Sequence, residues 1–137
     1  LTLNGAFAAD IFLLVTDYSK FSMVGLKILM EVLDEIGGVE IKNKLKSMPR
    51  PILFTLYDSR IRLSKLVEKN IEESNTGLIL GEKISRTVKM QESLFEGIPA
   101  VVRANNPAGV GYRALAKTWH EARNKGKLVG KTQFLPI

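Results

Sequence analysis

Three apolar runs of strand length constrain this chain most: "IFLLVT" (11–16), "ILFTLY" (52–57) and the weaker "LILGEKI" (78–84). The first two are continuous rather than alternating, the pattern of strands buried on both faces of a sheet. Segments of helical character separate them. One runs from about Ser22 to Ile36, with Ser22 placed to cap its start and Gly37 its end. Another runs from about Arg60 to Glu73. A short helix around "QESLFEG" follows the third run, and a last helix starts with Asn106 as cap and Pro107 at its first position, ending near Arg123. Strand and helix in alternation predict an α/β fold, a parallel sheet flanked by helices. Three strands are few for a doubly wound domain, so the chain reads as half of one.

The faces of these helices carry further expectations. In the first, Met23, Leu26, Met30 and Leu33 form one apolar stripe, while Val24, Ile28, Val32 and Ile36 lie on other sides. Such a wide apolar surface needs more than one sheet face to cover it, either a partner subunit or another part of the protein. In the second, Leu63, Leu66, Val67 and Ile71 make an inward stripe, and Arg62, Lys65 and Lys69 an outward one.

Composition excludes several chemistries. The chain has 137 residues, 45% hydrophobic and 25% charged, an ordinary globular mixture sized for one core. With no cysteine there is no disulfide, thiolate nucleophile or cysteine-based metal site. The single histidine, His120, cannot build a His-rich zinc site and reads as an ordinary helical residue. No apolar run approaches the roughly 20 residues of a membrane helix. The opening "LTLNGAFAAD" lacks the basic start of a secretory signal. The patterns of a phosphate-binding loop, of G-x-S-x-G and of H-E-x-x-H are absent, and "GVGY" (109–112) falls inside a helix.

Charge is the remaining signal. The net charge is +6, and from Arg113 onward six Lys or Arg face Glu121 alone. A basic balance favours anionic partners, and a basic tail also serves solubility. In an open α/β sheet, ligands bind at the carboxyl ends of the strands. There the loops read "YDSRIR" and "SRTVK", which puts Arg60, Arg62, Arg86 and Lys89 on one edge, with Lys65 close behind. Such clusters bind backbone phosphates without sequence preference. If the helix begins near Arg60, these cations oppose its dipole by up to about 1 kcal/mol, a cost tolerated for phosphate binding.

The phrases "LTLNGAFAAD", "LYDSRIRLSKLVEKNI", "ISRTVKMQESLFEGIPAV" and "GYRALAKTW" resemble, in order and spacing over about residues 1–120, the second half of ParA/Soj-type partition ATPases. The resemblance implies the C-terminal half of a P-loop NTPase-like domain of the deviant Walker family. Members bind ATP and Mg²⁺, dimerise around them, bind DNA non-specifically and respond to a ParB-type partner protein. It further implies a cytoplasmic, nucleoid-associated bacterial protein with no membrane partner. The family's phosphate-binding loop and Mg²⁺ ligand would lie upstream of Leu1, so the chain alone is expected not to hydrolyse ATP. Residues 1–124 would form the half-domain and residues 125–137 a basic tail.

Carried over position by position, the family's DNA-contacting arginine falls on Arg60 and its second falls on Lys89, with Arg62, Lys65 and Arg86 as supporting charge. The adenine-side loop becomes Ile84, Ser85, Arg86 and Thr87, where the family's Pro and Asn are both replaced. Thr55, Asp58, Ser85 and Thr87 are the candidate nucleotide neighbours. Two alternatives stand beside this reading: a MinD-like membrane-associated ATPase, which the poorly periodic tail "NKGKLVGKTQFLPI" disfavours, and a regulatory protein that kept the fold without turnover.

Overall fold

The computed structural model describes residues 11–35, 50–73 and 78–124, together with Gly5, Ala8, Ala9, Asn43 and Met48. In chain order the elements are β1 (Leu14–Thr16), α1 (Lys20–Glu35), β2 (Pro51–Tyr57), α2 (Leu63–Glu73), β3 (Leu78–Ser85), α3 (Val88–Glu96), a 3₁₀ turn (Ala100–Val102) and α4 (Pro107–Asn124). The sheet has the order β1-β2-β3, and both pairings are parallel. This is the α/β architecture expected from the three apolar runs. The expected cap at Gly37, the apolar Ile36 and the tail 125–137 lie outside the described residues.

Residues of β2 alternate between two cores. Ile52 and Phe54 face one side with Leu14, Tyr18, Leu26 and Ile79, and α1 and Val67 of α2 close it. Leu53 faces the other with Leu80, Ile84 and Ala108, covered by Tyr112, Leu115 and Trp119 of α4. Helices on both faces are what a parallel sheet requires, since its strands expose no solvent face. The first run contributes less strand than expected: β1 pairs only from Leu14 opposite Ile52. The next position up the ladder would face Pro51, whose ring nitrogen has no hydrogen to donate.

Helix starts also differ from the expectation, for local reasons. In α1 the cap is Ser19, not Ser22: the Ser19 hydroxyl accepts the Ser22 N–H at 3.2 Å, and the Ser19 carbonyl accepts the Met23 N–H at 3.1 Å. Asp17 secures the approach by accepting the Ser19 N–H at 2.7 Å. In α2 the helix begins at Leu63, and only part of the expected inward stripe faces the core: Val67 packs there, and the Ile71 side chain lies outside what the structure describes. Leu63 and Leu66 are 50% and 57% exposed, whereas Ser64 is buried and Val67 half-buried.

The rotation follows from a polar tie beneath α2. Glu68 accepts the Tyr18 hydroxyl at 2.6 Å and pairs with the Lys83 ammonium at 2.7 Å, and Lys83 also lies over the Tyr57 ring. Burial pushes the Tyr18 hydroxyl well above its ordinary range, with Glu68 adding to the effect. Turning Glu68 towards the sheet turns Leu63 and Leu66 away from it. The outward stripe Arg62, Lys65 and Lys69 is exposed as expected.

On the opposite face α4 sits close to its neighbours. The glycines of "GVGY" permit that approach: a Cβ on Gly111 would come within 2.7 Å of the Lys83 carbonyl oxygen, and one on Gly109 would collide with the Ala100 carbonyl. The start of α4 is fixed by Asn106, which is fully buried. Its carbonyl oxygen accepts the Ala108 and Gly109 N–H groups at 3.1 and 3.4 Å, and its amide donates to the Lys89 carbonyl and the Ser93 hydroxyl. Asn106→Ala removes the cap and strands the groups it served, so it should cost about 2 kcal/mol. Urea unfolding should show a lower midpoint at unchanged slope, and Asn106→Ser, which keeps a capping oxygen, should recover part of the loss.

Candidate anion-binding edge at the carboxyl ends of the strands

The two loops identified from sequence meet where β2 and β3 end. Tyr57 stands opposite Ser85, and the Arg86 N–H donates to the Tyr57 carbonyl at 2.9 Å, carrying the ladder one residue past the strand. Just before this point the central strand has an irregularity. From Phe54 to Tyr57 it takes three steps while β3 takes two, from Lys83 to Ser85. The extra residue is accommodated at Leu56, whose φ is 55, a left-handed value unusual for a bulky side chain. The bulge turns Leu56 outwards, where it is 56% exposed, and re-aims the chain that follows.

That chain forms a tight turn rather than the first turn of a helix. Asp58 Oδ1 accepts the Arg60 N–H at 3.1 Å, the Asp58 carbonyl accepts the Ile61 N–H at 3.1 Å, and α2 begins only at Leu63. The carboxylate then takes the guanidinium of Arg60 through two parallel bonds, Nε to Oδ1 at 2.9 Å and Nη2 to Oδ2 at 2.7 Å. This corrects the expectation that Arg60 opposes a helix dipole. Arg60 lies outside the helix, and a carboxylate two residues away balances its charge. The side-chain hydrogen bond from Arg60, then its backbone N–H, hold the Asp58 carboxyl at about 2, with the Arg86 charge contributing in the same direction.

Arg60 is paired with this carboxylate and Arg86, just past the end of β3, is near enough for its charge to act on it, leaving a net single positive charge among the three groups. Arg60 is 88% exposed against 19% for Asp58, so the cation faces solvent over a sheltered anion. Two donors of the fork are engaged, and the remaining N–H groups of the guanidinium point outwards. Arg62 and Lys65 are exposed at the start of α2 and extend this positive surface.

The other candidate residues have intramolecular roles that were not visible in the sequence. Lys89 sits in the first turn of α3 and donates through Nζ to the Asn105 carbonyl at 2.9 Å, towards the start of α4. Thr87 is the N-cap of α3, its hydroxyl accepting the Lys89 N–H. Thr55 donates to the Thr16 carbonyl at 3.1 Å within the sheet, and Ser85 is half-buried at the end of β3. Asp58 as partner of Arg60 was missed, although a D-x-R spacing at a strand end was the available signal. Among the described residues no group of three His, Asp or Glu side chains is placed to hold a metal ion. No described helix is long and apolar enough to cross a membrane.

Comparison with known proteins gives partial similarity. No protein-family model matches the chain. An uncharacterized protein of Mycobacterium tuberculosis is 33% identical over 118 residues, 85% of this chain and 36% of the relative. An uncharacterized protein of Methanocaldococcus jannaschii is 26% identical over 119 residues, 84% of this chain and 44% of the relative. The chromosome-partitioning ATPase Soj of Treponema pallidum is 28% identical over 100 residues, 72% of this chain and 38% of the relative. The chain thus spans well under half the length of these relatives.

The Asp58–Arg60 pair is directly testable. In an NMR titration the Asp58 carboxyl should titrate near 2, and Arg60→Ala should return it towards the ordinary 3.8. The folded-state value is depressed, so the pair's stabilisation is present above the ordinary carboxylate range and is lost as pH falls towards 2.

Proposed function

We propose that this chain is the DNA-binding and dimerisation part of a ParA-like partition ATPase, acting in chromosome or plasmid segregation. The observation that carries the reading is two exposed arginines, Arg60 and Arg86, each just past the carboxyl end of one of two adjacent parallel strands. The partial similarity to a chromosome-partitioning ATPase supports it. The proposed contacts are to backbone phosphates, which need cations and outward-facing donors but no fixed sequence. Arg60 makes the leading contact through its solvent-facing N–H groups, and Arg62, Lys65, Arg86 and Lys89 add charge around it. Lys89 retains two of its three N–H donors after bonding to the Asn105 carbonyl.

ATP and Mg²⁺ enter this proposal through parts of the longer protein. The described residues of this chain carry no carboxylate cluster suited to the metal, and the sequence has no glycine-rich phosphate loop. Thr55, Asp58, Ser85 and Thr87 are proposed as neighbours of a nucleotide and not as its main holders. The sheet itself is consistent with continuation. One groove runs between β1 and α1, lined by Leu14, Val15 and Leu26, and another on the opposite face lies between Leu13 and α4. A strand added beside β1 would fit between them. In this proposal residues 1–124 belong to the ATPase domain, the basic segment 125–137 adds long-range attraction to DNA, a ParB-type protein is the regulatory partner, and the setting is the bacterial nucleoid.

The test is duplex binding by the full-length protein, followed by fluorescence anisotropy across a salt series. Arg60→Ala combined with Lys89→Ala should weaken binding at low salt and flatten the salt dependence by about one to two phosphate contacts. Circular dichroism should show the fold retained. Affinity and salt slope equal to wild type would overturn the proposal. The 137-residue chain alone should show no ATP turnover above background.

A further inference from the structure

α1 carries a second apolar stripe that the sheet does not use. Leu26 is buried against the sheet with Leu14 and Ile52, and Leu33 against Met48 and Phe12, whereas Phe21, Val24, Ile28 and Val32 are 90%, 50%, 53% and 38% exposed. Spaced at i, i+3, i+7 and i+11, they run along one side of the helix for its whole length. Gly25 is exposed beside them, and the space where its side chain would stand is open for 4 Å around.

The charges on α1 indicate what that helix is. Lys20 occupies the first turn, and Glu31, Asp34 and Glu35 occupy the end. This arrangement is the reverse of what the dipole of a single helix favours, which is anions at the start and cations at the end. A second helix running antiparallel converts both misfits into attractions, because each Lys20 then lies beside a C-terminus and each Glu35 beside an N-terminus. The chain supplies such a helix in a second copy of α1. In the register that sets Lys20 opposite the second copy's Glu35, the two stripes interleave: Val32 of one copy falls between Phe21 and Val24 of the other, and the two Ile28 side chains meet near the axis. The relation is a closed two-fold, so the same patch serves both partners.

We infer that α1 is a self-association surface, pairing antiparallel with α1 of a second copy through Phe21, Val24, Ile28 and Val32, with Lys20 matched to Glu35. One helix pair falls short of the roughly 1,200 Å² of a standard interface, so a dissociation constant of about 10–100 μM is expected. This surface lies on α1, separate from the Arg60–Arg86 edge, and does not depend on the function proposed above.

Sedimentation equilibrium without nucleotide tests it, so that ATP-dependent association does not contribute. Wild type should form dimers over that concentration range, and Ile28→Glu, an exposed change on the helix surface, should leave a folded monomer. Lys20→Glu and Glu35→Lys should each weaken self-association about fivefold, because each homodimer then faces like charges. Mixed one to one, these two variants should recover dimerisation. In the mixed dimer the carboxylate introduced by Lys20→Glu meets the ammonium introduced by Glu35→Lys, and the native Glu35 of the first variant meets the native Lys20 of the second. A wild type monomeric throughout, a dimer insensitive to Ile28→Glu, or a mixture that fails to recover would each overturn the inference.

Discussion

Parallel pairing on both sides of β2 is the constraint from which the rest of this structure follows. A parallel neighbour cannot be reached by a tight turn, so each crossover must carry the chain back along the sheet, and helices on the faces are the result. Because all strands run the same way, the loops that leave them open on one edge. Arg60 and Arg86 are far apart in sequence, yet both lie at one edge because β2 and β3 are adjacent and end together. The edge is adjusted locally by the bulge at Leu56. A left-handed leucine carries a backbone cost of about 1–2 kcal/mol, and the bulge it accommodates determines how the Asp58 turn leaves the sheet.

What the sequence revealed and what it hid divide along the same physical line. Strand runs, helix order, the Asn106–Pro107 start of α4 and the helical setting of "GVGY" were legible, since they depend on local composition and continuous burial. The face of α2 was not. Periodicity placed Leu63 and Leu66 inward, but the tie of Glu68 to Tyr18 and Lys83 rotates the helix, and that tie joins three elements distant in sequence. The start of α1 was misread by one turn because both Ser19 and Ser22 have capping chemistry, and Asp17 decides between them by binding the Ser19 N–H. At the candidate edge the cations were legible by type and position. Their pairings were not: the sequence offered no reason to match Lys89 with the Asn105 carbonyl, or to assign the Thr87 hydroxyl to a cap.

Charge placed against a helix dipole occurs in two forms in this chain, and the comparison separates an apparent conflict from an actual one. Arg60 looked misplaced only while it was counted within α2. Once the turn is drawn, Asp58 balances it at hydrogen-bond distance, and no dipole is opposed. Arg62 and Lys65, at the start of α2, remain on the unfavourable end, exposed to water where screening makes the effect small.

In α1 the reversal is present along the described helix. Its start is fixed by the Ser19 cap, which places Lys20 in the first turn, and the acidic residues stand near its described end. One of them is accommodated within the chain: Asp34 accepts from Arg50 at 2.8 Å, and Arg50 precedes β2. Glu31 is bridged along the helix to Lys27. These pairs neutralise the middle and one flank of the acidic end, while Lys20 and Glu35 mark the two extremities of the helix. Charges left at opposite ends of a helix, each on the end its dipole disfavours, attract an antiparallel neighbour and repel a parallel one. Together with the apolar stripe between them, they are the features on which the proposed antiparallel pairing rests.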